Sequence, residues 1–206
     1  MNSGFVRRRV AAAALPLLLA ACASIAPPAT QKETASVAAR PFHEAIDLAG
    51  RLSVRYQHDG KEEALHGSFM WNQGPDQTTV TLLSPLGQTM AIVTVSPAGA
   101  TLLQGRQPMR SAADVDALTA ETLGWPLPVA QLRNWLQGFA IDRQGKRFVA
   151  TPQADQVQTR DGWQIRYASW MDMPSQNLPK RIDLARNTEQ AGDVSIRIAI
   201  DTWQAR

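Results

Sequence analysis

The side chains that could perform catalysis are few, and they do not form a catalytic set. The histidines are His43, His58 and His66, and the His43-Glu44 pair lacks the second histidine of a zinc-hydrolase motif. Glu62 and Glu63 would point to opposite faces of a strand, which prevents them from acting as a carboxylate pair. The chain has no nucleophile elbow and no glycine-rich phosphate loop. We therefore expect a protein that is not an enzyme, with His66 as a structural histidine.

Cys22 is the only cysteine, and the residues before it predict that its thiol is modified. An arginine cluster, a short apolar run and the small residues Ala20 and Ala21 are typical of an export signal. The apolar run is too short to span a bilayer. Leu19-Ala20-Ala21-Cys22 resembles the bacterial lipobox, which predicts a signal peptide over residues 1–21 and lipid on Cys22. The alternative is an ordinary signal peptide with a chance cysteine after it.

The charge balance argues against a nucleic-acid partner. The 21 Lys and Arg exceed the 18 Asp and Glu by three, and Arg7, Arg8 and Arg9 account for the excess. Once the signal peptide is removed, the chain is formally neutral and has no basic field for phosphate ligands. A single cysteine also excludes internal disulfides and thiolate metal sites, so we expect no metal and no cofactor.

The remaining chain divides into a linker and one domain. Residues 22–36 contain Pro27 and Pro28 among small and polar residues, which predicts a flexible lipidated tether. Residues 37–206 are expected to form a single β-rich domain, beginning with a short helix within residues 37–48. From Gly50 onward, short alternating segments separated by turns predict an antiparallel meander. The cleanest alternation spans residues 194–201.

Two helices are predicted between the two runs of strands. The first has Ser111 as its N-cap with Asp114 three residues later, and the second has Pro128 at its first position and ends at Gly138. Two helices are few for covering such a sheet. The curved sheet could therefore wrap around them, or partly around a cavity.

The turn formed by Ser84, Pro85, Leu86 and Gly87 has an unusual third residue. Proline second and glycine fourth suit a type I turn, but the third position normally faces solvent and favours polar residues. Leu86 could fold back on the domain, contact a partner or insert into a membrane. The residues alone favour folding back.

Several motifs in their order along the chain resemble one known family. They are the lipobox, Gly50-Arg51-Leu52-Ser53-Val54, Gly67-Ser68-Phe69-Met70-Trp71, Leu82-Leu83-Ser84-Pro85-Leu86-Gly87, Leu123-Gly124-Trp125-Pro126-Leu127-Pro128 and Leu132-Arg133-Asn134-Trp135-Leu136-Gln137-Gly138. Together they are similar to the LolB family of outer-membrane lipoprotein receptors. The resemblance extends from about Leu48 to Trp203.

The resemblance implies a mainly β fold with a helical insertion: an incomplete, curved antiparallel β-barrel around a hydrophobic cavity, closed by a few helices. Members of this family accept lipoproteins from a periplasmic carrier and place them in the inner leaflet of the outer membrane. Cys22 would then anchor the protein to the periplasmic face of that membrane, and Leu86 would be the exposed leucine needed for release. We expect a monomer whose partners are the carrier and the acyl chains of its cargo.

The predicted cavity residues alternate along the strands. They are Leu52, Val54, Phe69, Trp71, Val80, Leu82, Ile196 and Ile198. Each could equally be part of an ordinary packed core. Met90 and Ile92 are more apolar than the alternating pattern predicts for their positions. This indicates either a wider cavity face or a register shifted by one residue. The alternative function is a structural or accessory lipoprotein of an envelope assembly machine, with a filled core and no acyl binding.

Overall fold

A computed structural model describes residues 40–58, 60–123, 127–172, 177–189 and 191–206. The predicted signal peptide, Cys22 and the tether over residues 22–36 lie outside these residues. Within them the chain forms the following strands and helices: β1 (Ile46–His58), β2 (Lys61–Gln73), β3 (Thr78–Leu83), β4 (Thr89–Ser96), β5 (Gly99–Gln104), β6 (Arg110–Ala112), α1 (Val115–Leu123), α2 (Val129–Trp135), β7 (Phe139–Ile141), β8 (Arg147–Val149), β9 (Gln156–Gln158), β10 (Gln164–Trp170), β11 (Pro179–Thr188) and β12 (Gly192–Ala205).

Ten of these strands form one antiparallel sheet. Their order is β6-β5-β4-β3-β2-β1-β12-β11-β10-β9, and β7 and β8 form a separate pair. Because β6 and β9 are the two edges, the sheet is open and curved rather than a closed barrel. The predicted fold class, mainly β with a helical insertion between two runs of strands, is confirmed.

Alternation along the strands gives the sheet one apolar face. In β12 the side chains of Val194, Ile196, Ile198 and Ile200 are buried, whereas Arg197 between them is exposed. The two helices cover part of this face, and α1 contacts β5 and β6. The hydrophobic core therefore lies between the inner face of the sheet and the helical insertion.

The prediction of a short helix within residues 37–48 is wrong for the part of that range that the structure describes. Residues 40–45 are not helical, and β1 begins at Ile46. Ile46 pairs with Gln73 on one side and with Ala205 on the other. Its side chain is fully buried. Burial between two neighbouring strands outweighs the weak helical spacing of the apolar residues.

The starts of both helices differ from the predicted ones by a few residues. Ser111 lies in β6, and Asp114 is the residue that caps α1, because its Oδ1 accepts a hydrogen bond of 2.7 Å from the backbone N–H of Ala117. Pro128 immediately precedes α2 instead of opening it. Gly138 adopts φ +82° just after α2, as expected for a glycine beyond a helix C-terminus.

Gly50 permits the close contact between β1 and β12. A Cβ at this position would overlap the backbone carbonyl oxygen of Ala199 and crowd the Phe69 ring. The pairing of β1 with β12 also shifts register between Ala49 and Gly50. This position therefore has no room for any side chain, although its φ is not positive.

We predict that Gly50→Ala lowers the free energy of unfolding by about 1–3 kcal/mol, because overpacking forces two central strands apart. Gly74→Ala is the matched control, since a Cβ at Gly74 would make only an ordinary contact of 3.5 Å with the Gln77 oxygen. Urea unfolding of both variants checks the prediction. Equal unfolding midpoints would contradict it.

Candidate functional site

An apolar cavity of about 110 Å³ lies between the sheet and α2. Strands β1, β2, β3, β4 and β12 form its wall, and α2 with Leu127 forms its cover. Its lining residues are Leu52, Val54, Tyr56, Leu65, Phe69, Trp71, Val80, Leu82, Val93, Leu127, Val129, Leu132, Leu136, Ile196 and Ile198. Apart from the Tyr56 hydroxyl and the Trp71 indole N–H, these side chains are hydrocarbon, so the cavity suits an aliphatic ligand.

The structure places all eight residues proposed for the cavity in this lining. Their role in binding acyl chains stays a prediction. The sequence interpretation missed seven of the lining residues: Val93 on β4, four residues of the helical cover, and Tyr56 and Leu65, which lie on the same face as residues it included. Leu65 pairs directly with Val54 across β1 and β2. Extending the alternation to the far end of the hairpin would have found Tyr56 and Leu65.

The cover of the cavity comes from one face of α2. Val129, Leu132 and Leu136 are spaced three and four residues apart, which places them together on the helix surface. Trp135 faces another way and meets the Trp163 ring edge to face, with centroids 6.1 Å apart. The helix is therefore held from two sides, by the cavity wall and by an aromatic contact.

The C-terminal half of α2 and the residues just after it are fastened by polar bonds to residues 40–45, which we call the strap. Gln137 is fully buried; its side-chain oxygen accepts from the His43 N–H at 2.9 Å, and its side-chain amide donates to the His43 carbonyl at 3.0 Å. Arg133 donates to a Glu44 carboxylate oxygen at 2.8 Å and to the Gly74 carbonyl at 2.8 Å. These bonds join α2 to the strap and to the turn between β2 and β3.

The strap also contacts the wall of the cavity. The Gln73 amide donates to the His43 carbonyl at 3.2 Å, and the Gln73 Oε1 accepts from the Trp71 indole N–H at 3.2 Å. Trp71 lines the cavity. One network of hydrogen bonds therefore connects the helical cover, the strap and the wall.

Arg40 fixes the outer end of the strap. Its guanidinium donates to the carbonyls of Gln137 and Ala150 at 2.6 Å and 2.7 Å, and lies near the rings of Phe139 and Trp170. Burial lowers the pKa of Arg40 from its ordinary value, and the two carbonyls and two ring faces stabilise the cation in compensation. Burial also raises the pKa of Tyr167 well above its ordinary range, so that hydroxyl stays neutral.

The other end of α2 is tied to α1 rather than to the sheet. The Thr119 hydroxyl accepts a hydrogen bond of 2.9 Å from the Leu127 N–H. The side chains of Asp116 in α1 and Gln131 in α2 form a hydrogen bond. Burial, and to a smaller extent the nearby carboxylates of Asp114 and Asp161, raises the pKa of Asp116 above its ordinary value. The two helices are therefore coupled to each other at this end.

Leu86 is held away from the domain. Its side chain is 87 % exposed, so the expectation that it folds back is wrong. The Ser84 backbone bonds to Gly87 at 2.9 Å and to Gln88 at 2.8 Å, and Gly87 adopts φ +78°. These bonds close the turn tightly and leave the leucine at its tip no path back to the core.

A bulge after this turn sets the register of β4 against β3. Leu82 pairs with Ala91 but Leu83 pairs with Thr89, so Met90 has no partner on β3. Ala91 is buried, whereas Met90 is 39 % exposed. Met90 and Ile92 therefore do not widen the cavity face.

Other kinds of site are not found in the described part of the chain. Among those residues, no three His, Cys, Asp or Glu side chains are grouped closely enough to hold a metal ion. No helix within them has the length and hydropathy needed to cross a membrane.

Comparison with known proteins gives one consistent family. A family model described as outer membrane lipoprotein LolB matches residues 44–203. The outer-membrane lipoprotein LolB of Cupriavidus taiwanensis is 40% identical over 193 residues, which cover 91% of this chain and 92% of that protein. The LolB of Chromobacterium violaceum is 34% identical, covering 96% and 99%. A crystal structure of a LolA superfamily protein from Nitrosomonas europaea is similar with TM-score 0.47 and 11% identity, covering 82% of this chain and 90% of that one.

We predict that Gln137→Leu lowers the free energy of unfolding by about 1–3 kcal/mol, because it leaves the His43 N–H without its acceptor and the His43 carbonyl with only its bond from Gln73. Asn134→Ala, three residues earlier on an exposed side chain of α2, is the control and should be nearly neutral. Thermal unfolding monitored by circular dichroism checks both. Similar melting temperatures for the two variants would show that the strap does not hold α2.

Proposed function

The chain belongs to the LolB family of outer-membrane lipoproteins, and from this premise we propose that it is a receptor for other lipoproteins. In this proposal it takes lipoproteins from a soluble periplasmic carrier and inserts them into the inner leaflet of the outer membrane. The observation that carries the proposal is the apolar cavity, whose β3 wall leads within four residues, from Leu82 to Leu86, to an exposed leucine.

The physical problem that such a receptor solves is the exposure of acyl chains to water. Each methylene group costs about 0.8 kcal/mol in water, so a lipid-bearing cargo must pass directly from one apolar environment to another. A cavity lined by hydrocarbon side chains supplies the intermediate environment. The direction of transfer follows if the chains bind here more tightly than in the carrier, and more tightly still in the bilayer. No nucleotide is required for this step.

The cavity must widen before it can hold an acyl chain. Its volume of about 110 Å³ is well below the roughly 300–1,000 Å³ of typical ligand sites. The strap fixes the C-terminal half of α2 through Arg133 and Gln137, whereas the N-terminal end is bonded to α1. We infer that α1 and the start of α2 move together away from the sheet, and that the strap acts as the hinge.

Leu86 has the place and chemistry for the release step. A large apolar side chain at the tip of a rigid turn can enter the acyl region of a bilayer while the rest of the loop stays in the headgroup layer. Insertion beside the cavity would shorten the path that the cargo's acyl chains take through water.

Cys22 is proposed as the lipid anchor that keeps this receptor at the periplasmic face of the outer membrane. It lies outside the described residues, and the support is the lipobox together with the lipoprotein names of the relatives. Purely structural roles for such an anchored protein would not require an apolar cavity.

We predict that Val80→Trp weakens binding of a fluorescent fatty-acid probe at least tenfold, because the indole fills the cavity. Thr81→Trp is the matched control: Thr81 is the next residue on β3 and lies opposite Met70 and Ile92 instead of facing the cavity. Probe titration of both folded variants checks the prediction. Equal weakening of binding, or none in either variant, would contradict acyl binding in this cavity and favour the accessory-lipoprotein alternative.

We predict that Leu86→Glu leaves folding and probe binding unchanged but stalls delivery, because a carboxylate is costly to place in the acyl region of a bilayer. The assay mixes the protein in liposomes with a carrier that holds a radiolabelled lipoprotein, then follows the label from carrier to receptor to lipid. Leu86→Ile is the control and should deliver normally. Normal delivery by Leu86→Glu would overturn the role of this loop, and label staying on an active carrier with wild-type protein would overturn the receptor function.

A further inference from the structure

A second loop lies at the same end of the sheet as the turn that carries Leu86. In the antiparallel order, β3 and β5 run in the same direction with β4 between them. The β3–β4 loop (residues 84–88) and the β5–β6 loop (residues 105–109) therefore emerge side by side. The receptor cycle proposed above gives the second loop no role.

The two loops are joined by the bulge in β4. The Gly105 N–H donates to the carbonyl of Met90 at 3.3 Å, and Met90 is the unpaired residue that follows the β3–β4 loop. Gly105 adopts φ +56°, and the Gln107 N–H bonds to the Gln104 carbonyl at 3.0 Å to close the turn. The β5–β6 loop is thus ordered and is fastened to β4, the strand into which the neighbouring loop leads.

Both loops expose large apolar side chains. Leu86 is 87 % exposed and Met109 is 66 % exposed, with Met90 between them at 39 %. Monomeric proteins rarely expose such side chains close together unless they contact an apolar surface.

The two loops, with Arg110 directly after the second, carry only positive charge. Neither loop contains an acidic residue, and Arg106 and Arg110 accompany Met109. Both arginines are exposed, and within the described residues neither forms an ion pair; Arg110 donates only to the Gln107 side chain at 3.1 Å. Exposed cations beside apolar tips suit a surface with anionic phosphates above hydrocarbon.

We propose that the β5–β6 loop is a second contact with the bilayer, in which Met109 enters the lipid beside Leu86 while Arg106 and Arg110 bind lipid phosphates. This rests on the proposed function, since it takes Leu86 as the first contact. A single apolar contact leaves the domain free to rotate about it. Two contacts on neighbouring loops fix its orientation and keep β3, which runs from the cavity wall to Leu86, directed at the membrane.

The test uses full-length protein in liposomes that contain an anionic phospholipid and a bromine-labelled lipid that quenches fluorescence on contact. A probe sensitive to its environment is attached at Met109→Cys, at Leu86→Cys or at Ala98→Cys. Ala98 is exposed in the β4–β5 turn at the opposite end of the sheet. Cys22 is the only native cysteine, so wild-type protein taken through the labelling gives the background.

We expect the probes at 86 and 109 to be quenched and the probe at 98 to be unaffected. If the probe at 109 is not quenched by the liposomes, like the one at 98, the proposal is overturned. It is also overturned if the fluorescence of the probe at 109 changes only when the loaded carrier is added and not with liposomes. The delivery assay with wild-type protein on the same liposomes separates the two hypotheses. Delivery with only the probe at 86 quenched leaves the receptor function standing, whereas quenching at both loops without delivery supports the second contact and overturns the receptor function.

The arginines are tested in the labelled Met109→Cys protein by adding Arg106→Gln and Arg110→Gln. Each arginine near an anionic surface changes the contact equilibrium about fivefold, so the double change should reduce it about 25-fold in low salt. On liposomes of neutral lipid the change should have little effect. Equal quenching of the probe at 109 with and without the arginines on anionic lipid overturns their role.

Discussion

The alternation of side chains along a hydrogen-bonded antiparallel sheet is the constraint on which the rest of this structure depends. Once β1, β2, β3 and β12 are paired, every second residue must face inward, and these residues are mostly branched aliphatic or aromatic. The covering helices have only nine and seven residues. They can bury part of the inner face but cannot fill the space against it, and an apolar cavity results. A ligand for such a cavity must itself be apolar.

The cover of such a cavity cannot be held in place by tight apolar packing alone. Hydrogen bonds hold it instead. The strap and the C-terminal end of the cover are held by charged and amide side chains whose partners are largely backbone carbonyls. Such bonds have directions, unlike apolar contacts, so they fix where the end of the helix sits while the cavity side stays free to change volume. Arg133 and Gln137 are therefore positioning residues for the cover.

Alternation made the strands and the eight cavity residues predictable from the sequence, because both follow from a period of two. The strap was not predictable: its central bond joins His43 to Gln137, 94 residues apart, and no local pattern announces it. The N-cap moved from Ser111 to Asp114 because β6 takes Ser111 as a partner for Thr101 on β5. General turn preferences wrongly predicted that Leu86 folds back on the domain, because they describe an average turn. In this turn, hydrogen bonds around Ser84 hold the backbone rigid.

The position of Arg40 has a mechanical consequence. Arg40 precedes β1 in the chain, so any tension transmitted from the N-terminal side reaches this guanidinium before it reaches β1. The load falls first on the bonds to Gln137 and Ala150, and then on β1, which is held along its length between β2 and β12. A pull along that strand loads many ladder bonds in shear at once instead of opening them one after another. The domain is thus built to withstand force at the end from which it would be suspended.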